Sequence, residues 1–279
     1  MTGFQTFSDF VGLKGFLKTL SKDSTIGLVP TMGALHFGHI SLIKRALKEN
    51  DIVVVTLFVN PKQFNNTSDL SNYPRVPEED IKLLDSFKRL CVCIPQEGDV
   101  YPENDPYQEV QLGLLDQVLE GEFRPGHFAG VAHVVHNLIR IIEPAKAYFG
   151  LKDAQQLAVI NLMVNATRLP VDIIACETIR NSDGLALSSR NALLSKENII
   201  DASVIYETLA FVKDNIRKIG AVEIKKKAIA RFKNSNLKIE YIGLVNRDSF
   251  QPFTDGGEGG ICCLAAYCNG VRLIDNVLF

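Results

Sequence analysis

The sequence has no long apolar run. No stretch approaches the ~20 consecutive apolar residues that a membrane-spanning helix needs, so no transmembrane segment is predicted. The N-terminal residues MTGFQTFSDF also lack the charged segment and the apolar segment of a secretory signal. These absences predict a cytoplasmic protein that does not associate with membranes.

The sequence also has no strong excess of charge of either sign. Its 30 lysines and arginines nearly balance its 32 aspartates and glutamates, and the resulting net charge of −2 disfavours binding to nucleic acid. With 46% apolar and 22% charged residues, the composition is typical of a globular protein. A length of 279 residues suits one large domain or two modest ones.

Cysteine pairs of the CxxC kind are absent. The six cysteines occupy positions 91, 93, 176, 262, 263 and 268, and four of them lie inside apolar, strand-like runs. We therefore expect small buried apolar side chains in a reducing compartment, in preference to disulfides or zinc ligands. A GxSxG motif is also absent, and no Cys–His pair can be placed, so no covalent nucleophile is predicted.

Strand-like and helix-like segments alternate through about residue 180. The predicted strands are 25–29, 52–59, 91–94, 147–149 and 171–176, and the predicted helices are 10–20, 38–49, 77–90, 114–120, 131–142 and 153–164. The run 52–59 is continuously apolar and rich in β-branched residues, which suits a central parallel strand buried on both faces. The alternation predicts an α/β fold with a Rossmann-like, doubly wound parallel sheet.

The alternation stops near residue 180. A polar loop at 181–191 is followed by predicted helices at 195–216 and 221–232, a flexible turn at 255–260, and strands at 237–245, 261–267 and 271–274. Helices followed by strands indicate a second, smaller α+β domain. We therefore predict a Rossmann-like domain over residues 1–180 and a C-terminal domain over residues 181–279.

Two histidines stand where the first of these strands meets a helix. In the segment LVPTMGALHFGH, at 28–39, Pro30 ends the predicted strand, and His36 and His39 lie in the first turn of the following helix. Free backbone N–H groups and the positive end of the helix dipole make such a junction an anion site. Gly33 and Gly38 let a ligand approach the backbone, and imidazole adds donors that can follow charge developing on a phosphate.

Further polar residues follow other predicted strands, at the sheet edge where open α/β sheets bind ligands. Gln63 follows the strand 52–59, and its amide offers a donor and acceptors. In FGLKDAQQ, at 149–156, Lys152 can reach a phosphate, whereas Asp153 can cap the next helix or take part in holding Mg²⁺. Gln156 faces the same way one turn later.

The loop IRNSDGLALSSRN, at 179–191, carries a dense polar cluster at the predicted domain boundary. It contains Ser188, Ser189 and Arg190. Arg190 can bind phosphate oxygens in bidentate fashion, and a glycine-containing loop of this kind can close over a triphosphate and exclude water.

Two other interpretations of local motifs are disfavoured. GEFRPGHF, at 121–128, has the GxxxxG spacing, but His127 and Phe128 stand where a P-loop needs Lys and Ser or Thr. His127, His133 and His136 could be imagined as a metal trio, yet no Cys, Asp or Glu completes a ligand set nearby in sequence. No protein metal site is predicted.

Five motifs together resemble one enzyme family. PTMGALHFGH is similar to the HIGH motif of the nucleotidyltransferase superfamily, in the form found in the pantothenate synthetase (pantoate–β-alanine ligase) family. FVNPKQF, RPGHFAGV, FGLKDAQQ and DGLALSSRN follow in the order that this family has, across residues 28–191. Leu151 replaces a common Glu, Leu187 replaces the usual Met, and His133 stands where Thr is more frequent.

The resemblance implies an ATP-dependent condensation of (R)-pantoate with β-alanine to give pantothenate, AMP and pyrophosphate, through a pantoyl adenylate. It implies that Gln63 and Gln156 bind pantoate, that Gln63 also binds β-alanine, that Mg²⁺ accompanies ATP, that the small domain forms a lid, and that the enzyme is a homodimer. The donors it assigns to catalysis are His36, His39, Lys152, Ser188, Ser189 and Arg190. The residues it assigns to ATP are Met32, Gly33, Ala34, Leu35, His36, Phe37, Gly38, His39, Gly150, Leu151, Lys152, Asp153, Ile179, Leu187, Ser188, Ser189 and Arg190.

Two alternatives stay open at the level of sequence. A related nucleotidyltransferase acting on another small substrate would leave a stable nucleotide adduct instead of AMP and an amide. A non-catalytic nucleotide-binding module would bind ATP without turnover, although all the charged motif residues are present.

Overall fold

The computed structural model describes residues 4–255 and 257–279. The first three residues of the predicted N-terminal domain, and Gly256 in the predicted turn at 255–260, lie outside the described residues. The strands are β1 (Phe4–Phe7), β2 (Ile26–Thr31), β3 (Ile52–Leu57), β4 (Leu90–Cys93), β5 (Lys146–Gly150), β6 (Asp172–Cys176), β7 (Leu237–Asn246), β8 (Gly260–Cys268) and β9 (Val271–Leu278). The helices are α1 (Phe10–Leu17), α2 (Phe37–Glu49), α3 (Thr67–Asn72), α4 (Pro77–Leu84), α5 (Glu97–Val100), α6 (Glu120–Phe123), α7 (His127–Ile142), α8 (Ala154–Thr167), α9 (Lys196–Asp201), α10 (Ser203–Ile219) and α11 (Ala221–Arg231).

The larger part of the chain forms one parallel sheet of six strands. The strand order is β1-β4-β3-β2-β5-β6, and every neighbouring pair runs in the same direction. All six residues of β3 are buried, because apolar clusters cover both faces of the sheet. The predicted α/β, Rossmann-like doubly wound sheet is therefore confirmed.

The strand order reverses between β2 and β5. On one side β2 pairs with β3 along its whole length, whereas on the other it pairs with β5 only at Gly27 and Leu28. The carboxyl ends of β2 and β5 thus separate and leave a crevice at the switch point. The prediction that Pro30 ends the strand was wrong. Pro30 faces the β5 side, where pairing has already stopped, so the strand loses no hydrogen bond there.

Two further boundaries differ from the sequence patterns. The helix predicted over 77–90 ends at Leu84, and β4 begins at Leu90. Between them Arg89 takes a positive φ of 59°, and its guanidinium donates to the carbonyl oxygens of Leu47 and Asn50 at the end of α2. This distant contact overrides the helical propensity of the segment. The helix predicted over 114–120 is instead a 3₁₀ turn at Gly113–Asp116 followed by α6.

Strand β1 was not predicted. Its four residues, FQTF, are mostly half-buried and form no apolar run, and pairing with β4 at the edge of the sheet defines them as a strand. Asp9 then caps α1 by accepting from the backbone N–H of Gly12.

The remaining strands form a separate antiparallel sheet in the order β7-β8-β9. Helices α10 and α11 pack against this sheet around their own apolar cluster, which includes Ile205, Leu209 and Leu264. A second, smaller α+β unit is therefore confirmed. Strand β9 extends four residues beyond the predicted end at Ile274, because it pairs with β8 along its length.

The six cysteines are all free and buried, as expected. Burial raises the pKa of Cys91, Cys93 and Cys262 to about 12, so these thiols are inert at neutral pH. In the described part of the chain, no helix combines the length and the apolar character needed to cross a bilayer.

Candidate active site

The crevice between the carboxyl ends of β2 and β5 holds a cavity to which both sheets contribute. Fourteen of the residues singled out in the sequence line it: Met32, His36, Gly38, His39, Gln63, Gly150, Lys152, Asp153, Gln156, Ile179, Leu187, Ser188, Ser189 and Arg190. The fold therefore brings together four segments that are far apart in sequence. Strand β9 adds Asp275 and Asn276 to the lining of the cavity.

The two histidines cap helix α2 reciprocally. His36 is the N-cap residue, and its Nδ1 accepts from the backbone N–H of Gly38 at 3.1 Å. The Nδ1 of His39 accepts from the backbone N–H of His36 at 3.2 Å. Because each Nδ1 is an acceptor, the proton of each neutral ring lies on Nε2. The rings lie 4.0 Å apart, centroid to centroid, and both line the cavity.

Both imidazoles are neutral at physiological pH. Burial, followed by the positive charge of Lys152, lowers the pKa of His36 to about 4. Burial, His36 and Lys152 lower the pKa of His39 to about 3. Each ring therefore offers an Nε2–H donor and no permanent charge, and the permanent positive charge beside the rings comes from Lys152.

The loop that precedes the histidines is held by Asp80 of α4. This buried carboxylate accepts from the backbone N–H groups of Ala34 at 2.9 Å and Leu35 at 2.6 Å. Gly33 and Ala34 both have positive φ, 77° and 48°, so the loop needs such an external support. The sequence did not single out Asp80, because Glu78 and Glu79 beside it are equally suited to the first turn of a helix.

The turn that carries Lys152 is held by the C-terminal sheet. The Nδ2 of Asn276, on β9, donates to the carbonyl oxygens of Leu151 and Lys152, each at 2.8 Å. The neighbouring Asp275 is buried and pairs with Arg180, which lies in the loop that follows β6. Lys152 itself lies 3.4 Å from the carboxylate of Asp153, measured from Nζ to Oδ1. No local signal in the sequence identified Asn276.

The serine–arginine loop, residues 188–190, contacts the histidine segment, residues 28–39, directly. Ser189 Oγ donates to the carbonyl oxygen of Ala34 at 3.0 Å, and Ser188 Oγ accepts from the backbone N–H of Arg190 at 3.3 Å. The guanidinium of Arg190 pairs with Asp69 of α3 at 3.0 Å. A loop from the C-terminal part of the chain thus lies beside the imidazole pair.

Gln63 is buried in the lining of the same cavity, and its Nε2 contacts Met32 Sδ of the histidine segment at 3.0 Å. Its Oε1 accepts from Asn60 Nδ2 at 3.1 Å, and its backbone carbonyl accepts from His127 Nδ1 at 2.8 Å. Helix α7 approaches this turn very closely at Gly130, where an added Cβ would lie 2.2 Å from the carbonyl oxygen of Lys62. Glycine is therefore required at residue 130 for Gln63 to take its place.

Five of the residues assigned to ATP do not line the cavity with their side chains. Gly33, Ala34, Leu35 and Leu151 shape the adjoining backbone. The side chain of Phe37 points outward and is 74% exposed, so this residue can offer a ligand only its backbone.

The three histidines of α7 have separate partners. His127 bonds to Gln63, His133 to Asp105 at 2.6 Å, and His136 to Asn137 at 3.0 Å. Across residues 4–255 and 257–279, no cluster of three or more potential metal-ligating side chains occurs.

The sequence matches one family along almost its whole length. A family model described as pantoate-beta-alanine ligase matches residues 5–278. A pantothenate synthetase from Cytophaga hutchinsonii is 44% identical over 264 residues, which is 92% of each chain. One from Porphyromonas gingivalis is 44% identical over 280 residues, which is 99% of each chain.

The structure is similar to solved structures with related names. A pantoate-beta-alanine ligase (pantothenate synthetase) from Thermus thermophilus superposes with a TM-score of 0.90 at 38% identity, over 98% of each chain. A pantoate-beta-alanine ligase from Francisella tularensis, in complex with beta-gamma ATP and beta-alanine, has a TM-score of 0.81 at 36% identity, over 99% of this chain and 97% of that one.

Proposed function

The chain belongs to the pantoate–β-alanine ligase family, and on that premise we propose that it joins pantoate to β-alanine in two ATP-dependent steps through a pantoyl adenylate. The observation that carries this proposal is the convergence at one cavity of the imidazole pair, Lys152, the serine–arginine loop and the amides of Gln63 and Gln156. Phosphate-binding donors beside amides for a small hydroxy acid suit a reaction between a triphosphate and a carboxylate.

In the first step, the pantoate carboxylate attacks the α-phosphorus of ATP, and pyrophosphate leaves. Two anions must meet, so the site must stabilise negative charge as it develops on the phosphate. Lys152 and Arg190 supply positive charge, and Ser188 and Ser189 supply hydroxyl donors. His36 and His39 act here as neutral Nε2–H donors, because both pKa values lie well below 7. Pre-oriented donors of this kind need no reorganisation during the reaction.

In the second step, the amine of β-alanine attacks the acyl carbon of pantoyl adenylate. The new C–N bond replaces the C–O bond to the phosphate, AMP leaves, and the nitrogen loses a proton. Acyl adenylates hydrolyse readily, so the cavity must exclude water. We propose that the C-terminal domain serves as the lid, and the contacts of Ser189 with Ala34 and of Asn276 with the Lys152 turn support this role.

We propose that Mg²⁺ enters with ATP. Asp153 lies beside Lys152 with a carboxylate side chain that is 40% exposed, so it could serve as a ligand. One carboxylate together with substrate phosphates suits Mg²⁺, which prefers few protein ligands. The ion would neutralise charge on the phosphate oxygens.

We further propose a cytoplasmic homodimer that binds neither nucleic acid nor membranes. The free, buried thiols support a reducing location, and the family resemblance supports the dimer. Analytical ultracentrifugation of the purified chain measures its oligomeric state, and a monomer across micromolar concentrations contradicts the dimer.

Two assays test the function. AMP release should require both pantoate and β-alanine, whereas exchange of labelled pyrophosphate into ATP should require pantoate alone. His39→Ala and Lys152→Ala should each lower the exchange rate by about 10²–10³-fold, since each removes one donor from the developing charge. If both variants keep the wild-type exchange rate, the site assignment is wrong. If wild-type exchange does not depend on pantoate, the adenylate pathway is wrong.

A further inference from the structure

Arg124 lines the cavity with most of its hydrogen-bonding capacity unused. It follows α6, and its side chain is 15% exposed. Among the described residues, only Nη1 has partners, namely His127 Nε2 at 3.0 Å and Glu120 Oε2 at 3.5 Å. A guanidinium has five N–H donors, so those on Nε and Nη2 are available to a ligand.

Glu120 does not satisfy the hydrogen-bonding capacity of the Arg124 guanidinium. Both of its carboxylate oxygens accept from Arg272, at 2.7 and 2.9 Å, and Oε1 also accepts from the hydroxyl of Tyr241 at 2.7 Å. The 3.5 Å contact with Arg124 is the longest of these. Burial lowers the pKa of Arg124, and the positive charges of Arg190 and Arg272 lower it further, whereas the carboxylates of Glu120 and Asp69 raise it. Arg124 remains charged, and its surroundings favour an additional anion.

Arg124 is connected to Gln63 through the imidazole of His127. His127 accepts from Arg124 at Nε2 and donates from Nδ1 to the backbone carbonyl of Gln63 at 2.8 Å, so a single imidazole separates the two residues. Lys152 and the imidazole pair line the same cavity. The adenylation step proposed above gives Arg124 no role, although its guanidinium faces this cavity.

Building on the proposed function, we propose that Arg124 binds the carboxylate of β-alanine and thereby directs the amine of this substrate to the acyl adenylate. The planar fork of a guanidinium matches a carboxylate in bidentate fashion. The same interaction would explain how the site selects an amino acid over a simple amine, because an amine without the carboxylate would leave the buried donors unpaired.

The test compares two amines in wild type and in Arg124→Met. β-Alaninamide keeps the amine and the chain length of β-alanine and replaces the carboxylate with a neutral amide. In wild type, kcat/KM for AMP release should be higher with β-alanine than with β-alaninamide. In Arg124→Met, kcat/KM for β-alanine should fall by about 10- to 100-fold, the loss expected for hydrogen bonds to a charged group, and the preference should vanish. Pantoate-dependent pyrophosphate exchange should keep its KM for pantoate.

Controls separate this role from a structural one. Arg231→Met alters an arginine that stacks on Phe211 in the C-terminal domain, away from the cavity, and should leave both amines unaffected. Arg124→Lys keeps the charge without the fork and should recover part of the β-alanine rate. An equal fall for both amines, or a parallel rise in the KM for pantoate, would mean that Arg124 acts through His127 and Gln63, and the proposal is then wrong. Absence of exchange in wild type refutes the proposed function itself, which is a separate result.

Discussion

The variant Gly38→Ala tests whether the capping geometry of the histidines matters to catalysis, because it should move the His36 ring while changing the stability of the protein only slightly. A Cβ at residue 38 would lie 2.7 Å from Cε1 and 2.8 Å from Nδ1 of His36. An ordinary carbon–carbon contact is about 3.5 Å, so the ring must withdraw by about 0.8 Å. Its bond to the backbone N–H of residue 38 would then weaken or break.

The effects on stability nearly cancel. Alanine in place of glycine gains about 0.5–1 kcal/mol of helix propensity, and loss of the cap costs about 0.5–2 kcal/mol. The free energy of unfolding of Gly38→Ala should therefore change by only about 1 kcal/mol. A displacement of about 1 Å in a catalytic group costs up to about 10²-fold in rate, so pantoate-dependent pyrophosphate exchange should fall by roughly that factor.

Gly15→Ala is the matched control. Gly15 lies inside α1, and nothing is within 4 Å of an added Cβ there. This variant should gain about 0.5–1 kcal/mol in urea unfolding and keep full exchange activity. If Gly38→Ala is as active as Gly15→Ala, then the position of the His36 ring does not matter to catalysis, and the role given to the capping pair is refuted.

Two further outcomes are expected. The free energy of unfolding should decrease as pH falls from 6.5 towards 4. In this range His36 and His39 bind protons in the unfolded chain but stay neutral in the folded protein, because folding lowers their pKa values. Urea unfolding at pH 7 and at about pH 5 measures this, and the double variant His36→Gln/His39→Gln should show a smaller decrease; an equal decrease contradicts the assignment. Asn276→Asp should lower kcat by about 10- to 100-fold and stability by about 1–3 kcal/mol, because it removes two donors and aims a carboxylate at the carbonyls of the Lys152 turn. Asn269→Asp, in the exposed turn before β9, should do neither, and equal losses in both variants would contradict the role of Asn276.

The sequence by itself determined the class of fold and which residues are candidates for the proposed phosphate site. Runs of β-branched residues such as 52–57 predict buried parallel strands, because only a sheet covered on both faces accommodates them. In such a sheet, residues that follow a strand lie at the carboxyl edge. The histidine pair, Gln63 and Lys152 could therefore be placed at one edge from local pattern alone.

Only the tertiary structure decided which strands became neighbours and which residues support the site. Hydrophobic periodicity and turn-forming residues determine structure over only a few residues. They do not specify that β2 lies beside β5, and this pairing places the histidines next to Lys152. The same limit concealed Asp80, Asn276 and the unused donors of Arg124. Asp80 and Asn276 bond to backbone groups that are distant in the chain, and Arg124 faces a cavity lined by widely separated segments. No local pattern reveals such roles, because hydrogen bonds depend on position in space.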